Sequence, residues 1–190
     1  MGEAKRKADE FRAALIKEAD NWTFQESDWE RATVNELARM PRVEVTRESD
    51  EKLRDANLKP KDCHGNTCWY EANDPSGRWK RVTGWWPHGD TYVLHSVVSD
   101  GVRFICLTPQ ERDVPRRFDF IPDAKLVWRM DDDREIFHRD GHDISVGLRG
   151  DPAAHIETMR RMKARLEQGM SAREAMKLVD EETRTRLSVK

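Results

Sequence analysis

Apolar residues recur at helical spacing near both ends of the chain and alternate like strands through its middle. Ala4, Ala8, Phe11, Leu15 and Ala19 share one face of a first helix. Ser27 with Glu30 reads as a capping box that opens a second helix, which must stop before Pro41. Residues 42–46 alternate and predict a short strand. A short helix is expected to start at Cys63. Strand-like runs follow over 78–86, 91–98, 102–107 and 125–129. Asp100-Gly101, between two of these runs, is the strongest hairpin signal in the chain. As a two-residue turn it would set Ser99 against Val102, Val97 against Phe104 and His95 against Cys106.

An acidic stretch, 131–133, precedes a second hairpin that turns at Asp140-Gly141. Asp151 followed by Pro152 then opens a helix with Ile156, Met159, Met162 and Leu166 on one face and Gly169 as its stop. Ser171 with Glu174 is a further capping box. The pattern predicts an α+β fold. An antiparallel sheet of about four or five strands packs with a helix of the kind that carries a catalytic residue, with helical extensions at both ends. It reads as one domain over 1–190, with a helical region at 1–62, a Cys-, His- and Trp-rich core at 63–128, and a hairpin with C-terminal helices at 129–190.

Composition narrows the function classes. The 190 residues are 37% charged and 37% apolar, which predicts a modest core under a solvated surface. Five of the seven Trp fall in the central zone and add buried area there. The net charge of −2 is evenly spread, with 13 basic and 15 acidic side chains in 1–62, 8 and 8 in 63–128, and 13 and 13 in 129–190. No segment is basic enough to reward a nucleic-acid partner. No apolar run approaches the ~20 residues of a membrane span, and the first residues lack a signal-peptide core. Three Cys do not suggest a disulfide framework, so a cytoplasmic location with free thiols is expected. Oligomeric state is left open.

The candidate chemistry is sulfur chemistry. A Cys63 in the first turn of a helix would face unpaired N–H groups and the positive end of the dipole, which lowers a thiol pKa and favours the nucleophilic thiolate. His95, 32 residues later and mid-strand, suits a general base. Asp123 is the best third member on chemistry. Cys106, cross-strand from His95, offers support. Asn66 and His64, beside Cys63, are candidates for an oxyanion or supporting role. Trp85 and Trp86 are both candidates for a substrate-stacking platform; they must point to opposite faces of their strand, so one is expected to be buried and one partly exposed.

Four blocks occur in order: CHGN at 63–66, GWW at 84–86, LHSVV at 94–98 and CLTP at 106–109. The set is similar to a group of small bacterial and phage proteins with Cys-His-x-Asn, Gly-Trp, His-Ser-Val-Val and Thr-Pro segments. That group in turn resembles papain-like and transglutaminase-like thiol enzymes. The resemblance covers about residues 60–128. It implies a hydrolase or acyltransferase with Cys63 as nucleophile and His95 as base, needing no cofactor. The substrate would be an amide-type bond in a peptide, a protein or a small molecule. Some members carry Asp before the Thr-Pro segment, where this chain has Cys106.

The main rival reading is a zinc site of Cys63, Cys68, His95 and Cys106, a valid Cys₃His set. Helix geometry opposes it, because residues five apart on a helix point about 140° away from one another. His138, Asp140, His142 and Asp143, near 131–133, also gather ligand types, though a polar turn accounts for them. The third reading is a metal-free interaction or regulatory module, which the helical ends and high charge would suit.

Overall fold

The computed structural model describes residues 2–110, 115–132, 134–144 and 147–188. In chain order its principal elements are α1 (Gly2–Asn21), α2 (Asp28–Leu37), β1 (Val43–Arg47), α3 (Asp50–Asp55) and α4 (Cys63–Asn73). There follow β2 (Lys80–His88), β3 (Thr91–Ser99), β4 (Phe104–Cys106), β5 (Arg117–Pro122), β6 (Leu126–Asp131), β7 (Arg134–Arg139) and β8 (His142–Ile144). The chain closes with α5 (Pro152–Glu167) and α6 (Ala172–Ser188). This is the expected α+β class. No helix among the described residues is long and apolar enough to cross a membrane. Contacts divide the chain into two compact units. One is Met1–Asn35, Gly89–Thr91 and Leu148–Lys190; the other is Glu36–His88 and Tyr92–Gly147.

The first unit is helical. Ala19, Met162, Leu166 and Ala175 form its buried core, with Leu15, Ile16, Met159 and Val179 packed against them. Local chemistry sets the helix ends. Asp151 accepts the Ala154 N–H at 3.1 Å, and Pro152 occupies the first turn of α5. Ser171 and Glu174 bond reciprocally, as a capping box requires. At α2, Ser27 Oγ accepts the Glu30 N–H at 3.0 Å, but the return half of the box does not form. The Glu30 carboxylate is instead buried against Arg149, taking its Nε at 2.9 Å and Nη2 at 2.7 Å. Arg149 Nη1 donates to the carbonyls of Trp22 and Phe24.

In the second unit five strands close into a barrel, ordered β2-β5-β1-β4-β3, with β3 pairing back to β2. A plain antiparallel sheet was expected; β1 and β4 run parallel, while β1–β5, β2–β5 and β3–β4 are antiparallel. Val45, Val97, Cys106 and Phe120 fill the interior. On the outside, Val98 and Leu107 pack with Leu53 of α3, Trp79, and Tyr70 of α4. Gly84 lets β2 approach β5, because a Cβ there would stand 2.1 Å from the Ile121 carbonyl oxygen.

The β3–β4 hairpin differs from the two-residue turn by two positions. Val98 pairs Ile105 and Ser99 pairs Phe104, so residues 100–103 form the loop. The cause is Asp100, whose Oδ1 accepts the N–H groups of Val102 and Arg103 at 3.1 and 2.8 Å. That Asx-type turn draws two further residues out of the ladder. A slip of two preserves the faces, so His95 and Cys106 stay on the same side of the sheet. The second hairpin turns where expected. β6, β7 and β8 form a three-stranded meander, with Asp140 (φ 50°) and Gly141 (φ 80°) between the paired Arg139 and His142. Positive φ at both positions is the type I′ signature.

Candidate functional site

Helix α4 begins at Cys63 because Asp62 caps it, accepting the Gly65 N–H at 3.1 Å. The Cys63 sulfur lies in the first turn of α4, where the backbone of Ser96 and of His64 acts to lower its pKa. The expected depression of its pKa does not occur. Burial outweighs the helix terminus and the backbone donors and pushes the thiol up to about 11.

His95 projects into the barrel interior. Its Nε2 lies 3.3 Å from Cys106 Sγ, and Cys106 is fully buried. The same sulfur accepts a hydrogen bond from Arg47 Nη1, also at 3.3 Å. Parallel pairing of β1 with β4 sets Arg47 directly beside Cys106. The guanidinium lies 4.4 Å from the Phe118 ring centre and 5.0 Å from that of Trp86, and Arg47 Nε donates to the Pro115 carbonyl. Burial first, then the charges of His64 and Arg47, lower the His95 pKa to about 3. The imidazole is therefore neutral and keeps a lone pair to accept a proton.

Cys63 and His95 line one cavity of about 450 Å³, together with Trp86, His88, Thr108 and Gln110. The structure thus brings together the proposed nucleophile, the base and one of the two tryptophans. Compared with protein-family models, curated proteins and solved structures, the chain matches none. The chemistry of the cavity has to be read from its own residues.

Other expected members sit elsewhere. Asp123 is buried, but its Oδ2 is taken by Arg139 Nε at 2.7 Å and Trp85 Nε1 at 2.8 Å. It lines a different cavity, of about 750 Å³, that also holds Cys68. Asp123 is a buried ion-pair partner and does not orient His95. Trp85 is fully buried and offers no face to a substrate, whereas Trp86 is half-buried and does. The Asn66 amide is used up locally, bonding the Lys59 N–H and the carbonyls of Lys59 and Leu107. His64 Nδ1 lies 2.7 Å from Ser96 Oγ, and its ring packs on Phe137 at 4.3 Å. Burial lowers the His64 pKa to about 4. Ser96 Oγ also meets Thr83 and Arg81, and Arg81 forms a bidentate pair with Glu135. His64 is therefore part of a partly buried polar network with Ser96, Thr83, Arg81 and Glu135.

The zinc set is not assembled. Cys68 is exposed, while Cys63 and Cys106 are buried. Among the described residues no group of three or more His, Cys, Asp or Glu could hold a metal ion. At the second hairpin, His138 Nδ1 pairs with Asp143 at 2.7 Å, and its Nε2 accepts from Arg129 Nε at 3.0 Å. Asp133 lies outside the described residues.

Arg47 is the site residue that sequence reading passed over. A signal was present: Arg47 continues the alternation of Val43 and Val45, so it falls on their inward face. A charge placed there requires a buried partner.

Proposed function

We propose that the chain is a cysteine-dependent hydrolase or acyltransferase acting on an amide-type bond, with Cys63 as nucleophile and His95 as general base. The observation that carries this reading is that Cys63, in the first turn of α4, and His95, on β3, line one cavity. Meanwhile Cys106 Sγ lies 3.3 Å from Nε2 of the imidazole. A nucleophile flanked by a base that a third group orients is the general signature of thiol catalysis. Cys106 is too deeply buried for a substrate to reach it.

The resting pair is a neutral thiol and a neutral imidazole. Proton transfer therefore accompanies attack. The Cys63 sulfur bonds to the substrate carbonyl carbon as its proton passes to His95 Nδ1. The imidazolium then protonates the leaving amine as the C–N bond breaks, leaving a thioester on Cys63. Water, or an acceptor amine, attacks the thioester and gives its proton to His95. That proton returns to the sulfur as the acyl group departs. Trp86 supplies an aromatic wall for the acyl group. The substrate is an amide of a peptide, a protein or a smaller molecule.

Intact-mass and peptide mapping after incubation with p-nitrophenyl acetate test the assignment. The expected result is one acyl group on Cys63, absent in Cys63→Ala and strongly reduced in His95→Gln. Acylation confined to the exposed Cys68, or undiminished in Cys63→Ala, would sink the reading.

A further inference from the structure

An imidazole acts as a base only through the nitrogen that lacks a proton. Which nitrogen that is depends on the partner of the other one. In thiol and serine hydrolases an acidic or amide group does this fixing. Here the group at His95 Nε2 is a sulfur, and a neutral thiol is an indifferent acceptor.

The surroundings of that sulfur alter its role. Arg47 Nη1 donates to it from 3.3 Å, and the two residues are register partners across β1 and β4. The guanidinium has little freedom to leave. It is buried, its Nε is tied to the Pro115 carbonyl, and the Trp86 and Phe118 rings hold it by cation–π contact. Next to a fixed positive charge, the sulfur is favoured as an acceptor and disfavoured as a donor. The charged and titratable groups acting on the pair are Arg47, His64 and Cys63.

We propose that Arg47 is a positioning residue. Held against the Trp86 and Phe118 rings, it makes Cys106 an acceptor for His95 Nε2–H and so leaves Nδ1 without a proton. Arg47 and Cys106 together do what a carboxylate does elsewhere. The inference deepens the reading of His95 as base, yet its central claim is a tautomer, which exists with or without turnover.

Long-range ¹H–¹⁵N correlation spectra of the full chain, labelled at histidine, read that tautomer directly. His95 is assigned by its loss in His95→Asn. The expected result is proton on Nε2 and none on Nδ1 in the unmodified chain, a measurement that needs no other variant to fold. In Arg47→Gln the preference is lost, in Arg47→Lys it is largely kept, and in Cys106→Ala it is lost with Arg47 intact. Acylation of Cys63 falls by about a hundredfold in Arg47→Gln, the lower end of what a positioned base contributes. A proton on Nδ1 in the unmodified chain overturns the proposal, as does an Nε2–H preference that survives both Arg47→Gln and Cys106→Ala. The predicted tautomer without acylation of Cys63 would refute the hydrolase and leave the clamp standing; acylation with the opposite tautomer would do the reverse.

Discussion

His95 Nε2 meets Cys106 Sγ at 3.3 Å across a diagonal of the β3–β4 ladder, since continuing the pairing of Val98 with Ile105 sets Val97 opposite Cys106. Diagonal neighbours on one face are farther apart than direct ones, and only long or ring side chains bridge them. The imidazole does so in the barrel interior, with Arg47 reaching the same atom from β1. One sulfur therefore serves two buried nitrogens. Cys106→Ala should destabilise the chain by roughly 2–5 kcal/mol, more than a lost small side chain alone, because both nitrogens lose their partner at once. Urea unfolding of the variant checks this. A loss under about 1 kcal/mol would mean that the sulfur is only a filler.

Thiol labelling should follow burial rather than helix position. Cys68 is exposed, whereas Cys63 is buried with its thiol pushed up to about 11. Iodoacetamide should modify Cys68 first near neutral pH, with Cys63 lagging and quickening as pH rises toward its pKa. Cys68→Ala should fold with a stability change within about 0.5 kcal/mol and retain acylation at Cys63. Time-resolved peptide mapping gives the order; faster labelling of Cys63 than of Cys68 at neutral pH would contradict the burial argument.

Acid should weaken the fold through two histidines. His95 and His64 have pKa values lowered to about 3 and about 4, from an ordinary 6.5. Both are neutral when folded and take up a proton on unfolding once pH falls below about 6.5. Stability is therefore full above that pH and declines as pH descends toward the folded values. Between about pH 6.5 and about pH 5, above the usual carboxylate range, the slope should approach roughly 2–3 kcal/mol per pH unit. His64→Gln should remove about half of it. Urea midpoints across this window provide the measurement, and a flat profile would show that the two rings are charged inside the fold.

Most of the helices were legible because each rule acts within a few residues, although no predicted element covers α3. Ser171 with Glu174, and Asp151 with Pro152, fix helix ends regardless of what packs on them. The turn at Asp140-Gly141 was legible for the same reason. What depends on distant pairing was not. Closure of the barrel needs β5, whose Phe118 and Phe120 alternate with Arg117 and Asp119 in a short, charged stretch that none of the predicted runs covers. The parallel pairing of β1 with β4 joins Arg47 to Cys106 over 59 residues, and no local pattern announces such a contact. Cys63 and His95 were chosen by type and order, and the structure lines one cavity with both. The direction of the Cys63 shift was misjudged, because a helix terminus is visible in sequence and the depth of burial is not.

Asp123 offers the sharpest contrast between a catalytic and a structural carboxylate. One of its oxygens takes the Arg139 guanidinium and the Trp85 indole, and both of those residues are fully buried. Arg139 reaches Glu36 as well, at 2.9 Å, and Asp123 Oδ1 accepts the Lys125 N–H. Asp123→Ala would strand a buried guanidinium with only its peripheral partners and leave the Trp85 N–H unpaired. Losing one member of such a pair costs about 3–5 kcal/mol, enough to lower the melting temperature markedly. Asp123→Asn keeps an oxygen for Trp85 and should lie between the two. If Asp123 were instead the third catalytic group, Asp123→Ala would melt like the unmodified chain and fail only to acylate Cys63. Thermal melts run beside acylation assays separate the two outcomes, and a fully stable, inactive Asp123→Ala would return Asp123 to the active site.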